Sequence, residues 1–196
     1  MKRTWLGHST FLLETDAGTK LVTDPVDAGS GFDLPKIEAD VITVSHRHFD
    51  HCATERIGGH PVVKESIDPE TIAGFCITGY PTFHDEMRGA KRGPNTIFAI
   101  EADGQRFVHC GDLGHIPDDA TIEALKGADV LMIPVGGIFT VDGKTAWEIV
   151  RRIAPKVAVP MHFAVPNLTF RLESVQNFLD AARANPAPIA IEVPER

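Results

Sequence analysis

Apolar residues fall in short runs or alternate with polar ones along the first half of the chain. Arg3 to Leu6, Phe11 to Thr15 and Lys20 to Asp24 each predict a strand by that pattern. Asp16-Ala17-Gly18 predicts the hairpin turn between the second and third. Asp40 to Val44 predicts a buried strand that delivers the chain to Ser45-His46. Gly74 to Thr78, Asn95 to Glu101 and Arg106 to Cys110 continue the series, with Asp103-Gly104 turning between the last two. The second half changes rhythm. Asp118 to Lys126 predicts a helix stopped by Gly127. Asp129 to Ile133 is almost wholly apolar, which predicts a strand covered on both faces. Thr145-Ala146-Trp147-Glu148 reads as a capping box that opens a helix to about Ile153. Lys156 to Met161 predicts a strand ending at His162. Val175, Phe178, Leu179 and Ala182 share one helical face, and Ile189 to Val193 predicts a closing strand. Strands in series, then strands alternating with helices, predict stacked sheets flanked by helices. No linker, repeat or low-complexity tract interrupts the pattern, so residues 1–196 are expected to form a single domain.

Composition narrows the function. The chain has 196 residues, 43% hydrophobic and 23% charged, which excludes disordered, collagenous and coiled-coil classes. Its formal net charge of -8 repels phosphate backbones, so no nucleic-acid partner is expected. No run approaches the roughly 18 apolar residues of a membrane span. His8, Ser9 and Thr10 break up the N-terminal segment, so no signal peptide is expected either. Cys52, Cys76 and Cys110 are odd in number and form no C-x-x-C pair. Three free thiols predict a cytoplasmic protein, and Cys76 in particular reads as a small buried hydrophobe. Histidine is the outlier: nine are present, and His46, His48 and His51 fall within six residues.

That run, His46-Arg47-His48-Phe49-Asp50-His51, leaves a predicted buried strand directly. In extended chain His46 and His48 project to the same side, where two neutral imidazoles can share one zinc ion. Asp50 and His51 follow where the chain must turn, and can face a second ion beside the first. Further ligand types recur at other strand ends: His84, Asp112 in His109-Cys110-Gly111-Asp112, and His162. A carboxylate at Asp112 has two oxygens with which to bridge two ions.

These motifs resemble the metallo-β-lactamase superfamily, in its branch of small metal-dependent hydrolases. The carrying residues are Thr23-Asp24-Pro25, the H-x-H-x-D-H run, His84, Gly111-Asp112 and Pro160-Met161-His162. Trp5-Leu6-Gly7-His8-Ser9-Thr10, with Thr23-Asp24-Pro25, is similar to the phosphodiesterase-like, lactonase-like and N-acylethanolamine phospholipase D-like members. The resemblance implies an α+β fold, a four-layer αββα sandwich of two mixed sheets flanked by helices, with metals at one edge. It implies His46, His48 and His84 on one ion, Asp50, His51 and His162 on the other, and Asp112 bridging. Asp24 would orient a ligand imidazole. The implied activity is a dinuclear zinc hydrolase, with Mn2+ or Fe2+ as alternative metals. It would use a metal-bridging hydroxide on an ester, lactone or phosphodiester bond of a small molecule.

Asp50 can also orient the nucleophile. His8 and His115 are the candidate proton donors, and His109 is expected to buttress the site. His60, in Gly58-Gly59-His60-Pro61, reads as a turn residue. The loop containing Gly136, Gly137, Thr140 and Asp142 is a candidate site wall. The segment from Asp85 to Asn95 is a candidate mobile lid whose Arg88, Lys91 and Arg92 would bind an anionic substrate. Three other readings compete. A non-catalytic metal-binding module is opposed by the complete ligand set. A di-iron oxidoreductase is opposed by His48, where the related flavoproteins place Glu, and by the lack of a flavin domain. A nuclease is opposed by the acidic charge.

Overall fold

The computed structural model describes residues 1–195. Two mixed sheets are stacked. The first has the order β1-β2-β3-β4-β5: β1 (Lys2–Gly7), β2 (Thr10–Glu14), β3 (Lys20–Thr23), β4 (Glu38–Thr43) and β5 (Gly58–Lys64). β1, β2 and β3 pair antiparallel; β3-β4 and β4-β5 are parallel. The second sheet begins with β6 (Glu70–Ile72), β7 (Phe75–Phe83), β8 (Pro94–Ala102) and β9 (Gln105–His109). It continues with β10 (Val130–Pro134), β11 (Val157–Met161) and β12 (Ala190–Ile191), in the order β12-β11-β10-β9-β8-β7-β6. β6 to β9 are antiparallel neighbours and β9 to β12 run parallel. The expected pair of stacked mixed sheets is therefore what the chain forms.

Period-two alternation assigns the faces. Leu13, Leu21 and Val41 of the first sheet join the large core shared with the second sheet. Their neighbours Leu12, Val22 and Ile42 face the other way, into a smaller cluster with Val26, Phe32 and Leu34. Three helices, α1 (Asp119–Leu125), α2 (Gly143–Ile153) and α3 (Gln176–Ala184), pack on the second sheet. The outer face of the first sheet has no α-helix among the described residues. Irregular chain around residues 26–37 covers it, held by Arg56, whose guanidinium donates to the carbonyls of Val26 (2.7 Å) and Phe32 (3.3 Å). Only one of the two expected helical layers is built from α-helices.

Several local expectations are corrected. β5 and β6 carry no strand signal in the sequence, and His60 is an exposed residue of β5 rather than a turn. α2 starts before Thr145: the Asp142 carboxylate accepts from the Thr145 N–H at 2.7 Å and is the true N-cap. Cys76 is exposed on β7, its thiol 3.4 Å from the Thr71 hydroxyl, so it is no core hydrophobe. Cys110 is fully buried, where lack of solvation pushes its thiol pKa up.

Candidate metal centre

Both sheets contribute strand ends to one place. β4 stops at Thr43, just before Ser45 to His51; β7 stops at Phe83, next to His84. β9 stops three residues before Asp112, and β11 stops one residue before His162. Strands hold these ends rigidly, while the loops that follow are free to turn side chains inward. Gly111 (φ +54) makes one such turn: a Cβ there would lie 2.3 Å from Asn95 Oδ1 and 2.6 Å from Ser45. The Asp112 N–H then donates to Asn95 Oδ1 at 2.9 Å.

The ligand-type side chains come together at this end in two groups. One atom from each of His46, His48 and His84 lies within 4.8 Å of the others, and so do one from each of His8, Asp50, His51 and His162. Asp112 sits between the two groups. Its Oδ2 is 3.1 Å from Nε2 of His84, 3.1 Å from Nε2 of His162 and 3.8 Å from Nε2 of His46. Its Oδ1 is 3.2 Å from Nε2 of His51.

Asp24 fixes which nitrogen faces inward. Its carboxylate accepts from Ser45 N (2.8 Å), Ser45 Oγ (2.5 Å) and His51 Nδ1 (2.9 Å). Ser45 Oγ, having given its proton to Asp24, accepts from His46 Nδ1 at 3.0 Å. Both imidazoles therefore carry their proton on Nδ1 and present the Nε2 lone pair to the cluster. Asp24 shares a short-range group with His46 and His51, but these hydrogen bonds make it an orienting residue.

The donor set passes a direct test for metal. Nε2 of His46, Nε2 of His51 and Oδ1 of Asp112, all at the cluster, are buried with no hydrogen-bond partner among the described residues. Each such orphan costs about 1–3 kcal/mol unless something binds it. The electrostatics agree. Burial, then the charge of His51, lowers the His46 pKa to about 3, which leaves a neutral, ligating imidazole. Burial opposes ionisation of Asp112 and Asp50, but the neighbouring histidines hold both below the usual carboxylate range. His51 goes the other way: burial disfavours its charged form, yet the Asp112 and Asp50 carboxylates raise its pKa well above 6.5. The field at that point favours a cation, which a metal ion supplies.

The other predicted residues separate clearly. His109 donates from Nε2 to the Ser9 carbonyl (2.8 Å) and accepts the Gly111 N–H at Nδ1 (3.2 Å), so it braces the loop before Asp112. His8 donates from Nε2 to Asp50 Oδ2 at 3.1 Å and packs 4.1 Å, centroid to centroid, from His162. Burial, then the His162 charge, lowers its pKa to about 4. His115 lies outside the cluster. Its Nδ1 donates to the Ile116 carbonyl (2.9 Å), its Nε2 accepts the Phe83 N–H (3.2 Å), and it borders a different cleft. Cys110 joins neither group.

The expected lid is pinned. The Asp85 carboxylate accepts backbone N–H groups from Met87 (2.7 Å), Gly89 (2.9 Å), Lys91 (2.9 Å) and Arg92 (2.7 Å). Lys91 pairs with Glu86 and Arg88 turns toward the other cleft. Of the three cations only Arg92 borders the cavity over the cluster, which holds about 340 Å³. His48, Asp50, His84, Asp112 and His162 form its floor. Phe49, Phe139 and Phe170 form walls that sequence reasoning missed. Phe49 had one available signal: an apolar residue inside a polar ligand run. Phe170 had none.

A stacked pair of mixed sheets carrying a buried His/Asp cluster at the strand ends defines a metal-dependent enzyme scaffold. The family model described as a beta-lactamase superfamily domain matches residues 2–162. The chain is 32% identical over 206 residues to a UPF0173 metal-dependent hydrolase of Methanoculleus marisnigri, covering 92% of this chain and 89% of that protein. It is 30% identical over 194 residues to another from Carboxydothermus hydrogenoformans, covering 83% and 84%. A solved structure from Thermotoga maritima, described as a candidate zinc-dependent hydrolase of the metallo-β-lactamase superfamily, shares 33% identity. It superposes with a TM-score of 0.80 over 98% of this chain and 97% of that one. The isothiocyanate hydrolase of Delia radicum gut bacteria shares the fold at 13% identity, with a TM-score of 0.75 over 100% of this chain and 96% of that one. The chain belongs to the metallo-β-lactamase superfamily, in the branch of UPF0173 metal-dependent hydrolases. Among the described residues, no helix is long and apolar enough to cross a membrane.

Proposed function

We propose that the protein is a dinuclear zinc hydrolase that opens an ester, lactone or phosphodiester bond in a small molecule. The observation that carries this reading is the position of Asp112, within 3.1–3.8 Å of imidazole nitrogens from both groups of ligand-type residues. In this reading His46, His48 and His84 would hold one ion and Asp50, His51 and His162 the other, with Asp112 placed to serve both. Cationic zinc would satisfy the orphaned nitrogens, and the all-His/Asp set suits it. Bound zinc supplies Lewis-acid polarisation of the scissile oxygen and makes a water acidic enough to deliver hydroxide near neutral pH.

The chain's own residues do the rest. Asp50 borders the cavity and is kept ionised, so its carboxylate accepts a hydrogen bond from the attacking water and orients it. His8 holds Asp50 Oδ2 in place and is a positioning residue, buried behind the cluster rather than facing the cavity. Asp24 and Ser45 aim His46 and His51. The cavity of about 340 Å³ favours a small substrate. Arg92 provides for at most one negative charge on it. Three unpaired thiols fit a cytoplasmic setting.

The test is a hydrolase panel with the zinc-loaded protein, with metal counted by mass spectrometry. Two zinc ions per chain are expected. Asp112→Ala and His162→Ala should each lower zinc content and reduce turnover by at least about 100-fold. Activity that survives both substitutions overturns the site.

A further inference from the structure

The rim of the cavity contains more apolar surface than a metal hydrolase needs for its chemistry. Phe49 is 58% exposed and Phe139 is 36% exposed, beside a half-buried Phe170. Large apolar side chains this exposed at one opening mark a binding surface. The rings are also ordered with respect to one another. Phe170 meets Phe49 at 6.2 Å and 77°, and Phe139 at 6.1 Å and 73°, both edge-to-face. Behind Phe170 lies His8, 5.6 Å away at 87°, so the aromatic wall connects to the residue that holds Asp50. On the far side the Arg92 guanidinium sits 5.5 Å over the Phe139 ring and donates to the Ile138 carbonyl at 3.1 Å. This arrangement holds Phe139 at the opening.

The three rings come from three separate segments: the ligand run, the loop after β10 and the loop after β11. They surround a concave space whose floor is the ligand cluster, rather than a flat patch. A concave site with apolar walls and a few polar groups at its base binds a small molecule. We propose that Phe49, Phe139 and Phe170 form a subsite for an aromatic ring of the substrate, placed next to the bond being cleaved. A bound ring would extend the edge-to-face pattern already present. The substrate would then be an aryl-bearing small molecule with no more than one negative charge. Calling this ligand a substrate rests on the hydrolase reading above; the subsite itself does not.

Binding is therefore the readout. Acetate and phenylacetate differ by one ring and share the carboxylate that would sit over the metals. Their dissociation constants for the zinc-loaded protein are measured by ligand-observed NMR titration. Phenylacetate should bind at least about tenfold more tightly, since burying one ring's apolar surface supplies that much. Phe49→Ala and Phe170→Leu should each cut the preference to about threefold or less while zinc content stays unchanged. Phe49 is too exposed for its removal to unfold the chain, and Phe170→Leu keeps apolar volume, so folding is not at stake. Equal affinity for the two acids, no binding of phenylacetate, or a preference unaltered in both variants overturns the subsite. A ring preference that disappears in the variants upholds it even if no ester, lactone or phosphodiester is hydrolysed; that second result would remove only the hydrolase reading.

Discussion

Asp24→Asn probes the orienting network without changing its shape. The side chain is fully buried, and asparagine fills the same volume, so no cavity opens. What changes is the direction of two protons. The Asn carbonyl can still accept the Ser45 N–H, now at 2.8 Å. Its amide, however, points N–H donors where His51 Nδ1 and Ser45 Oγ now donate. To avoid a donor–donor contact His51 must move its proton to Nε2, the nitrogen that faces Asp112 at 3.2 Å. That tautomer has no lone pair for a metal. Ser45 must also turn its hydroxyl, which disturbs the bond from His46 Nδ1. One substitution thus weakens an imidazole in each group. Losing such an outer contact costs 10- to 100-fold in metal affinity, or about 1.4–2.7 kcal/mol. With two imidazoles affected, the upper end is expected. The assay is zinc competition against a chromophoric chelator, with near-UV circular dichroism to confirm native packing. A natively packed variant with unchanged zinc affinity would refute this account of how the ligands are aimed.

Two further predictions concern the backbone around the site. Gly114→Ala would place a Cβ 2.2 Å from Asp85 N and 2.3 Å from the His84 carbonyl carbon, both backbone atoms that cannot yield cheaply. Overpacking of about 1–3 kcal/mol should lower Tm by roughly 2–12 °C. Zinc affinity should fall with it, because the clash separates His84 from Asp112; an unchanged Tm would contradict the close approach. Asp85→Ala should free the N–H groups of Met87, Gly89, Lys91 and Arg92 and abolish their hydrogen-exchange protection, leaving sheet amides untouched. Acid should act in the same direction. Loss of solvation would raise the Asp85 pKa, but the Arg92 and Lys91 N–H groups, then those of Met87 and Gly89, bring it down to about 2. A carboxyl depressed in the folded state stabilises above its free value of about 3.9 and loses that contribution as pH falls through about 2. Protection of these four amides that is independent of pH between about 5 and 2 would rule out the carboxylate as the pin.

What the sequence revealed depended on how local the cause was. The His46 to His51 run was legible because a strand end and four ligand-type side chains lie within a few residues. β10 was legible because burial on both faces writes a continuous apolar run. β5 was not: Gly58-Gly59-His60-Pro61 carries turn residues, and its exposed Val62 and Val63 stand at a sheet edge, where no alternation is imposed. The start of α2 was misplaced because Thr145 and Asp142 are both good caps, and only the folded backbone chooses between them. Cys76 was misjudged because its neighbours Phe75 and Ile77 are buried; a strand alternates, and Cys76 points the other way. The Phe49, Phe139 and Phe170 wall depends on three distant segments meeting, which no window of sequence records.

His8 (φ +53), Asp24 (φ +37) and His162 (φ +52) all hold left-handed backbone with full side chains. Each such residue costs on the order of 1–2 kcal/mol relative to a relaxed conformation. Three together approach the net stability of a marginal domain, about 5 kcal/mol. Glycine would relieve the strain at every one of them. At Asp24 that relief would be offset, because glycine would leave the buried Ser45 N–H and His51 Nδ1–H without their acceptor, at about 1–3 kcal/mol each. The strain at these three positions is held by the same contacts that shape the cluster: His8 on Asp50, Asp24 on His51, and His162 against Asp112.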